Sequence, residues 1–238
     1  MVDAETSRTV IGIIGNIISF FLFLSPVPTF IKIRKAKSVQ GFKPDPYVAT
    51  VLNCAMWVFY GLPIVHPDSL LVVTINGVGF IIEISYVTIF FLFSNWAMRK
   101  RITMALIVEL VFLFIVVFIT LTFLHGHKDR SMLVGILCII FNTIMYTSPL
   151  TVMRRVISTK SVKYMPFFLS LTNFANGSIW FSYALIKFDP YLMVPNGLGM
   201  LSGLVQLVLY ATYYRMTDWD EDEKSTEIEL PRANYAGV

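Results

Sequence analysis

Neutral polar side chains occur in matched pairs inside the apolar runs of this chain. Asn76 and Asn196 each open the sequence Asn-Gly-x-Gly, 120 positions apart. Trp57 and Trp180 form a second pair, 123 positions apart. The donors and the acceptor of an asparagine amide need partners when they lie in lipid. Two amides beside two indole faces predict a pocket for a guest that presents both C–H faces and hydroxyl groups.

A competing interpretation assigns the two tryptophans to the membrane interface and the two asparagines to contacts between helices. Trp57 lies 11 residues after Pro46, where its apolar run begins. At the rise of an α-helix this is a depth of about 16 Å, near the middle of a membrane. This depth favours the pocket over the interfacial belt.

Two further matched features predict moving parts at the two ends of such a pocket. Prolines inside helices bend the chain, so four prolines at similar depth indicate a hinge at the cytosolic mouth. These prolines are Pro26, Pro46, Pro149 and Pro166. At the other end, the Tyr60 hydroxyl bonded to the Asp189 carboxylate would form a latch. An isolated loop acid at Asp189 is an equally open interpretation.

Titratable residues give no pattern typical of an enzyme. Glu83 and Glu109 are the carboxylates that lie well inside apolar runs, and for Glu83 a functional role and a helix-to-helix hydrogen bond both remain open. Glu109 is expected to be structural. His66, His125 and His127 fall between the runs without a supporting carboxylate or thiol cluster. We therefore expect no catalytic residues, no bound metal and no cofactor.

Composition places these residues in a lipid bilayer. The chain has 238 residues, of which 56% are hydrophobic and 14% charged, whereas soluble domains carry about 25% charged residues. The net charge of +4 comes from short clusters between apolar runs and is not a signal for nucleic acid. Seven continuously apolar runs predict spanning helices, so the fold class is all-α membrane protein. The runs are 10–31, 46–64, 70–94, 102–124, 132–153, 167–186 and 191–214.

The chain repeats itself, which predicts how these helices are arranged. A shift of 123 positions places Lys37-Ser38-Val39 on Lys160-Ser161-Val162. Thirteen lysines and arginines fall on one side of the predicted membrane and four on the other, which puts the N-terminus outside and the C-terminus in the cytosol. The two three-helix repeats then run parallel, so the unmatched fourth run must join them in a 3+1+3 arrangement.

This arrangement divides the chain into five parts. They are an extracellular N-terminus (1–9), a first three-helix repeat (10–94), a linker helix with its flanking loops (95–131), a second three-helix repeat (132–214) and a disordered, acidic cytosolic tail (215–238).

Four motifs resemble the SWEET family of sugar uniporters, in its plant form, over roughly residues 10–216. Pro26-Val27-Pro28-Thr29-Phe30 and Lys37-Ser38-Val39-Gln40-Gly41-Phe42 are similar to the exit of the family's first helix. Thr74-Ile75-Asn76-Gly77 and Val194-Pro195-Asn196-Gly197-Leu198-Gly199 are similar to its third-helix and seventh-helix motifs. The family is itself a known case of parallel repeats.

The resemblance implies bidirectional, facilitated sugar transport by alternating access, without ion coupling. It assigns sugar binding to Trp57, Asn76, Trp180 and Asn196. It assigns the inner gate to Pro26, Pro46, Pro149 and Pro166, and the outer gate to Tyr60 and Asp189. It also implies homo-oligomers. Plasma membrane is the expected location, with the vacuolar membrane as the alternative.

Pocket size leads to an expectation about which sugar is carried. The residues expected around the site are Leu22, Asn53, Asn142, Met145 and Asn176. In related sucrose carriers, the positions similar to Leu22 and Asn53 tend to hold smaller residues. Bulkier side chains here would exclude a disaccharide, so we expect glucose to be favoured over sucrose.

Two other membrane-protein classes compete with this interpretation. PQ-loop carriers of amino acids have a Pro-Gln pair at the exit of the first helix. This chain has Pro-Val-Pro-Thr there, at residues 26–29. They also usually carry intramembrane acids for proton coupling. A seven-helix receptor would lack the parallel repeat, and this chain has neither Asp-Arg-Tyr after the third run nor a lysine in the seventh.

Overall fold

The chain folds into seven helical spans, and the first of them is broken into two helices. The computed structural model describes residues 3–145 and 147–219, without the side chains of residues 147 and 148. Within these residues the regular structure is entirely helical. The helices are α1 Ala4–Leu24, α2 Val27–Ala36, α3 Asp45–Gly61, α4 Leu70–Phe93, α5 Trp96–Thr122, α6 His127–Met145, α7 Thr147–Thr159, α8 Phe167–Ile186 and α9 Pro190–Tyr213, followed by a short 3₁₀ turn, Tyr214–Met216.

Five spans are long and apolar enough to cross a membrane on length and composition alone. They are Ala4–Ala36 (α1 with α2), Leu70–Phe93, Trp96–Thr122, His127–Thr159 (α6 with α7) and Pro190–Met216. The remaining two spans are α3, with 17 residues, and α8. Helix α8 carries Ser170, Thr172, Asn173 and Asn176 and is therefore less apolar.

Several helices begin before the apolar runs that predicted them. Helix α1 begins inside the segment 1–9 that we expected to precede it, because the Asp3 side chain caps it by accepting from the Glu5 amide. Helix α5 begins at Trp96, where Asn95 accepts from the Met98 amide. Helix α6 begins at His127, inside the predicted linker 95–131. Hydropathy marks the apolar layer, whereas a helix begins at its cap and extends into water.

Six helices form a closed ring, and the seventh span lies outside it. Around the ring, α1 packs on α8, α8 on α9, α9 on α6, α6 on α3, α3 on α4, and α4 on α1. Every contact of the ring has a counterpart under the repeat. For example, the contact of α1 with α8 corresponds to the contact of α6 with α3. Helix α5 packs on α3, α4 and α6 and connects the repeats. The all-helical 3+1+3 prediction is confirmed.

The repeat is visible in the backbone as well as in the sequence. Lys37 follows α2 and Lys160 follows α7, and both have a left-handed backbone with φ of 50°. Gly12 and Gly135, again 123 positions apart, have no room for a side chain, because Cβ atoms there would meet Leu71 and Tyr191, which are themselves 120 positions apart. The two repeats thus share their turns and their closest helix contacts.

We name the two ends of the ring after the charge-based orientation. The outer end holds Asp3, Tyr60 and Asp189, and the inner end holds Lys37 and Lys160. The predicted acidic tail lies outside the described residues from residue 220 onward, while residues 217–219 continue from the 3₁₀ turn.

The contact between α8 and α9 predicts a site of high sensitivity to side-chain size. A Cβ atom at Gly177 would lie 2.5 Å from the Met200 backbone nitrogen, so Gly177→Ala must push the two helices apart. We expect a loss of about 1–3 kcal/mol of stability, as for other overpacked sites, seen as a lower melting temperature in detergent.

Gly77→Ala is the matched control, because a Cβ atom there meets nothing within 4 Å. It should be neutral or slightly stabilising, since glycine is unfavourable in a helix interior. Equal melting temperatures for the two variants would contradict the close packing of α8 on α9.

Candidate functional site

A polar cavity of about 380 Å³ lies inside the six-helix ring. All nine residues predicted for binding or for lining the pocket contribute to its wall: Leu22, Asn53, Trp57, Asn76, Asn142, Met145, Asn176, Trp180 and Asn196. They come from α1, α3, α4, α6, α8 and α9, so each helix of the ring contributes. The cavity reaches toward the inner end, where the exposed residues Ser25 and Leu169 line it.

The matched amides are held in the same way in both repeats. The Asn76 side-chain nitrogen donates to the Val72 carbonyl at 2.9 Å, and that of Asn196 donates to the Leu192 carbonyl at 2.8 Å. Val72 and Leu192 are themselves 120 positions apart. Each bond uses one amide hydrogen and fixes the side chain on its own helix. In the described part of the chain, the second hydrogen and the carbonyl oxygen of each amide have no partner.

Trp180 is fixed by a chain of hydrogen bonds that crosses between the repeats. Its indole nitrogen donates to the Ser19 hydroxyl at 3.0 Å, and Ser19 donates to the Asn176 side-chain oxygen at 2.6 Å. Ser19 lies on α1, and the other two residues lie on α8. The indole plane on this side of the cavity is therefore set before any guest arrives.

The opposite wall has the same positions but leaves them unpaired. A shift of 123 places Ser19, Asn176 and Trp180 on Asn142, Asn53 and Trp57. Within the described residues neither Trp57 nor Asn142 forms a side-chain hydrogen bond, and the buried Asn53 side-chain oxygen has no partner. A buried amide without a partner is costly. This wall therefore holds hydrogen-bonding capacity that a guest can use.

Five other polar residues line the cavity and were not predicted for it. Ser19, Ser25, Thr50 and Asn173 add hydroxyl and amide groups, and Glu83 adds a carboxyl. The repeat contains a signal for Ser19, since it matches the predicted Asn142, whereas Thr50 and Asn173 match each other and neither was predicted. Glu83 is buried, and its Oε2 atom has no partner in the described part of the chain. Its repeat counterpart is Gly203, so this carboxyl is present in only one half.

The outer end is closed by a hydrogen bond between two buried residues. The Tyr60 hydroxyl donates to both Asp189 oxygens, at 2.9 and 3.0 Å. Asp189 precedes α9 and caps it, because its Oδ1 atom accepts from the Tyr191 and Leu192 amides at 3.0 and 3.3 Å. The carboxylate is thus pinned to α9, while the hydroxyl reaches it from α3.

The four prolines do not bend four helices. A break occurs at Ser25-Pro26, between α1 and α2, whereas Pro149 is the third residue of α7, and residue 146, before that helix, lies outside the described residues. Pro46 is the second residue of α3 and Pro166 is the residue before α8, where a missing N–H leaves no hydrogen bond unmade. Pro46 also lies 7 residues before Asn53, whereas Pro166 lies 10 before Asn176. The expected symmetric set of four bends is therefore wrong for Pro46 and Pro166.

Fold and site together define a class of protein. Two parallel three-helix repeats surround a polar cavity in an otherwise apolar membrane protein, and the cavity is closed at one end by buried polar groups. Among the described residues no group of three histidine, cysteine or acidic side chains stands close enough to hold a metal. The class is that of a multi-pass membrane carrier built from parallel repeats.

Comparison with known proteins gives the family. Residues 9–97 and 132–218 match the family described as "Sugar efflux transporter for intercellular exchange". The chain is 62% identical over 238 residues to bidirectional sugar transporter SWEET5 of Arabidopsis thaliana, covering 100% of this chain and 98% of that protein. It is 58% identical over 231 residues to SWEET7b of Oryza sativa subsp. indica, covering 97% and 86%.

A solved structure agrees with these matches. A eukaryotic SWEET transporter at 3.7 Å resolution superposes with a TM-score of 0.86 and 37% sequence identity, over 89% of this chain and 99% of that one. The chain therefore belongs to the SWEET family, and the family resemblance inferred from its motifs is confirmed. This family is one of transporters and not a class of enzymes.

The free hydrogen-bonding groups of the matched amides lead to a test. Asn76→Ala and Asn196→Ala should each lower the rate of sugar exchange across a membrane by about tenfold or more, because a hydrogen bond to a neutral group contributes about 0.5–1.5 kcal/mol and each amide has more than one to offer. The measurement is exchange of labelled glucose in liposomes.

Ser85→Ala is the control for this pair of variants. Ser85 lies on α4, as Asn76 does, and bonds the Ile81 carbonyl one turn earlier, but it is exposed on the outside of the ring. This control should keep the exchange rate of the unmodified protein. Asn variants that fold and exchange as fast as the Ser85 control would rule out a role for the amides.

Proposed function

We propose that this protein is a sugar uniporter that carries sugar in both directions across a membrane by alternating access. The observation that carries the proposal is the pair of amides, Asn76 and Asn196, whose unused donors and acceptors face one cavity from opposite repeats. Relatives that are named bidirectional sugar transporters support the choice of substrate.

In the proposed complex, tryptophan rings and asparagine amides contact different parts of the sugar. The faces of Trp57 and Trp180 stack on the C–H faces of the sugar, and Asn76 and Asn196 bond its hydroxyl groups. The unpaired Asn53 and Asn142 supply further groups on the Trp57 wall. A guest with several hydroxyl groups satisfies these amides better than an apolar guest, because an unpaired buried amide is unfavourable.

Alternating access follows from what joins the helices at each end. The outer end closes through Tyr60 and Asp189, which hold α3 against the start of α9. At the inner end, the break at Ser25-Pro26 lets α2 move on α1, and Pro149, the repeat counterpart of Pro26, is proposed to do the same for α7. In the proposed cycle these inner segments close over the sugar before the outer bond opens. Pro46 and Pro166 then fix where α3 and α8 begin.

The proposal also covers the orientation, the membrane and the assembly of the protein. The basic clusters of the inner end face the cytosol, the N-terminus lies outside, and the plasma membrane is the proposed location, with the vacuolar membrane as the alternative. The family resemblance supports a homo-oligomer. Because each protomer encloses its own cavity, transport does not require a neighbouring copy.

Uniport is tested by exchange of labelled sugar with and without a pH gradient. Purified protein in liposomes loaded with unlabelled glucose should take up labelled glucose until the label equilibrates, and an imposed pH gradient should not drive accumulation. Accumulation against a glucose gradient, driven by protons, would overturn uniport. That result would direct attention to Glu83, the carboxyl that lines the cavity without a partner.

Selectivity is expected to depend on the size of two cavity residues. Leu22 and its repeat counterpart Met145 narrow the cavity, and Asn53 stands beside Trp57 on the facing wall. Glucose should therefore be exchanged faster than sucrose. The double variant Leu22→Val, Asn53→Ser should gain sucrose exchange by roughly tenfold, the range expected when a few atoms of bulk are removed from a pocket. Sucrose exchange is measured beside glucose exchange in the same liposomes.

The outer-facing variant Ile81→Val serves as control, because Ile81 is exposed on α4 outside the ring and loses one methyl group as Leu22 does. It should change neither rate. If the double variant folds, exchanges glucose and gains no sucrose exchange, cavity size does not set the preference.

A further inference from the structure

A third side chain contacts both members of the outer gate. His66 lies in the segment between α3 and α4, and its Nε2 atom is 3.3 Å from Asp189 Oδ2. Its ring is stacked on the Tyr60 ring, with centroids 4.7 Å apart and planes 17° from parallel. His66 therefore covers the Tyr60–Asp189 bond from the outside, where water would enter when the gate opens.

The ring of His66 is held in place by Ser131 on α6. The Nδ1 atom lies 2.9 Å from the Ser131 hydroxyl oxygen, which is itself 2.8 Å from the Val65 carbonyl oxygen. Ser131 and Val65 are both buried. A serine hydroxyl has one hydrogen to donate, so it can serve Nδ1 or the Val65 carbonyl but not both.

This geometry accommodates two protonation states of the imidazole. When His66 is neutral, Ser131 donates to Nδ1 and the Nε2–H group donates to Asp189. When His66 is charged, Nδ1–H donates to the Ser131 oxygen, and the hydroxyl turns to the Val65 carbonyl. Within the closed gate, Nε2–H can donate to Asp189 in both states. His66 can therefore take up a proton from the outer solution without any rearrangement of the backbone.

The closed gate disfavours the charged state. Burial lowers the pKa of His66 below its usual value, and Asp189 opposes this. Among the other charged groups that face it, Arg8 from α1 and His127 from α6 lower its pKa, while Asp68 raises it. An open gate exposes the ring to water, so that the effect of burial is lost. The open state then binds the proton more tightly than the closed state.

We propose that His66 is a third residue of the outer gate, which positions Asp189 against Tyr60 at neutral pH and releases the gate when the outer solution becomes acidic. The proposal rests on the proposed function only in using the Tyr60–Asp189 contact as a gate. The proton enters from the outer solution and returns to it. It is therefore not carried across the membrane, and uniport is unaffected.

The sign of the effect follows from linkage. His66 has a lower pKa in the closed state than in the open state. Acid therefore shifts the equilibrium toward the open state, beginning as the pH falls through the usual histidine pKa of about 6.5. The ratio of open to closed protein rises as the pH falls, until His66 is charged in both states. Above that pH both states hold neutral His66, and the gate does not respond.

The experiment follows opening of the gate without any sugar. Val72→Cys places a thiol on the cavity wall beneath the gate, and a membrane-impermeant thiol reagent is added to the outer side of right-side-out vesicles. The native Cys54 and Cys138 are fully buried, and the parent protein gives their background. Val72→Cys with Tyr60→Phe serves as the open-gate reference, which should label faster at every pH.

The labelling rate is compared with that of the His66→Gln protein, which carries the same thiol. The ratio of the two rates cancels the effect of pH on the thiol itself. Glutamine keeps a donor for Asp189 but does not titrate. As the outer pH falls from 7.5 to 5.5, labelling of the protein with His66 should rise about threefold or more relative to the His66→Gln protein. The shorter His66→Asn cannot reach Asp189 and should label faster than His66→Gln already at pH 7.5.

The outcomes separate the gate from the transport function. A constant labelling ratio between His66 and His66→Gln across this pH range overturns the proposal, and so does equal labelling of His66→Asn and His66→Gln at pH 7.5. If Tyr60→Phe does not speed labelling, the gate itself is wrong and the proposal fails with it. Sugar exchange is measured separately, so a protein that shows the labelling response but no glucose exchange contradicts the proposed function alone.

Discussion

Polar side chains inside a membrane must find partners, and this constraint shapes the whole molecule. Asn76 and Asn196 each satisfy one of their two amide hydrogens on their own helix, through the carbonyls of Val72 and Leu192. Their remaining donors and acceptors require a polar cavity rather than lipid. The six-helix ring provides it, and the duplication of the chain places the two amides on opposite helices, α4 and α9. Helix α5 joins the two repeats so that both point the same way.

The two repeats have the same backbone fold but differ in the hydrogen bonds of their cavity walls. Around Trp180 the hydrogen bonds are complete, since Ser19 and Asn176 form a fixed wall. Around Trp57 the equivalent groups form no side-chain hydrogen bond within the residues that the structure describes. One wall is thus rigid before a sugar binds, and the other offers unpaired groups to it. In a strictly symmetric protein the two walls would be alike. The difference between Ser19 and its counterpart Asn142 is enough to make one wall hydrogen-bonded and the other unpaired.

Sequence predicted the plan of the fold and the wall of the site, because both depend on the repeat. The spacing of 120 and 123 residues located the paired asparagines and tryptophans, and charge counts gave an orientation. Hydropathy could not give helix ends, which Asp3 and Asn95 set by capping. It also could not distinguish a proline inside a helix from one at its start, so Pro46 and Pro166 were misjudged. The contact of His66 with Asp189 joins segments 123 residues apart and follows only from the three-dimensional fold.

The central claim is that these two amides bond the hydroxyl groups of a sugar, and coupling between the two partners measures it most directly. Glucose analogues that lack one hydroxyl compete with labelled glucose for exchange by the unmodified protein, by Asn76→Ala and by Asn196→Ala. Some analogues should compete with labelled glucose less well than unlabelled glucose does when the unmodified protein is tested. The account predicts that, for each amide, at least one of these analogues competes as well as unlabelled glucose when the variant that lacks that amide is tested. Equal losses for every analogue in all three proteins would show that neither amide bonds a hydroxyl group and would contradict the account.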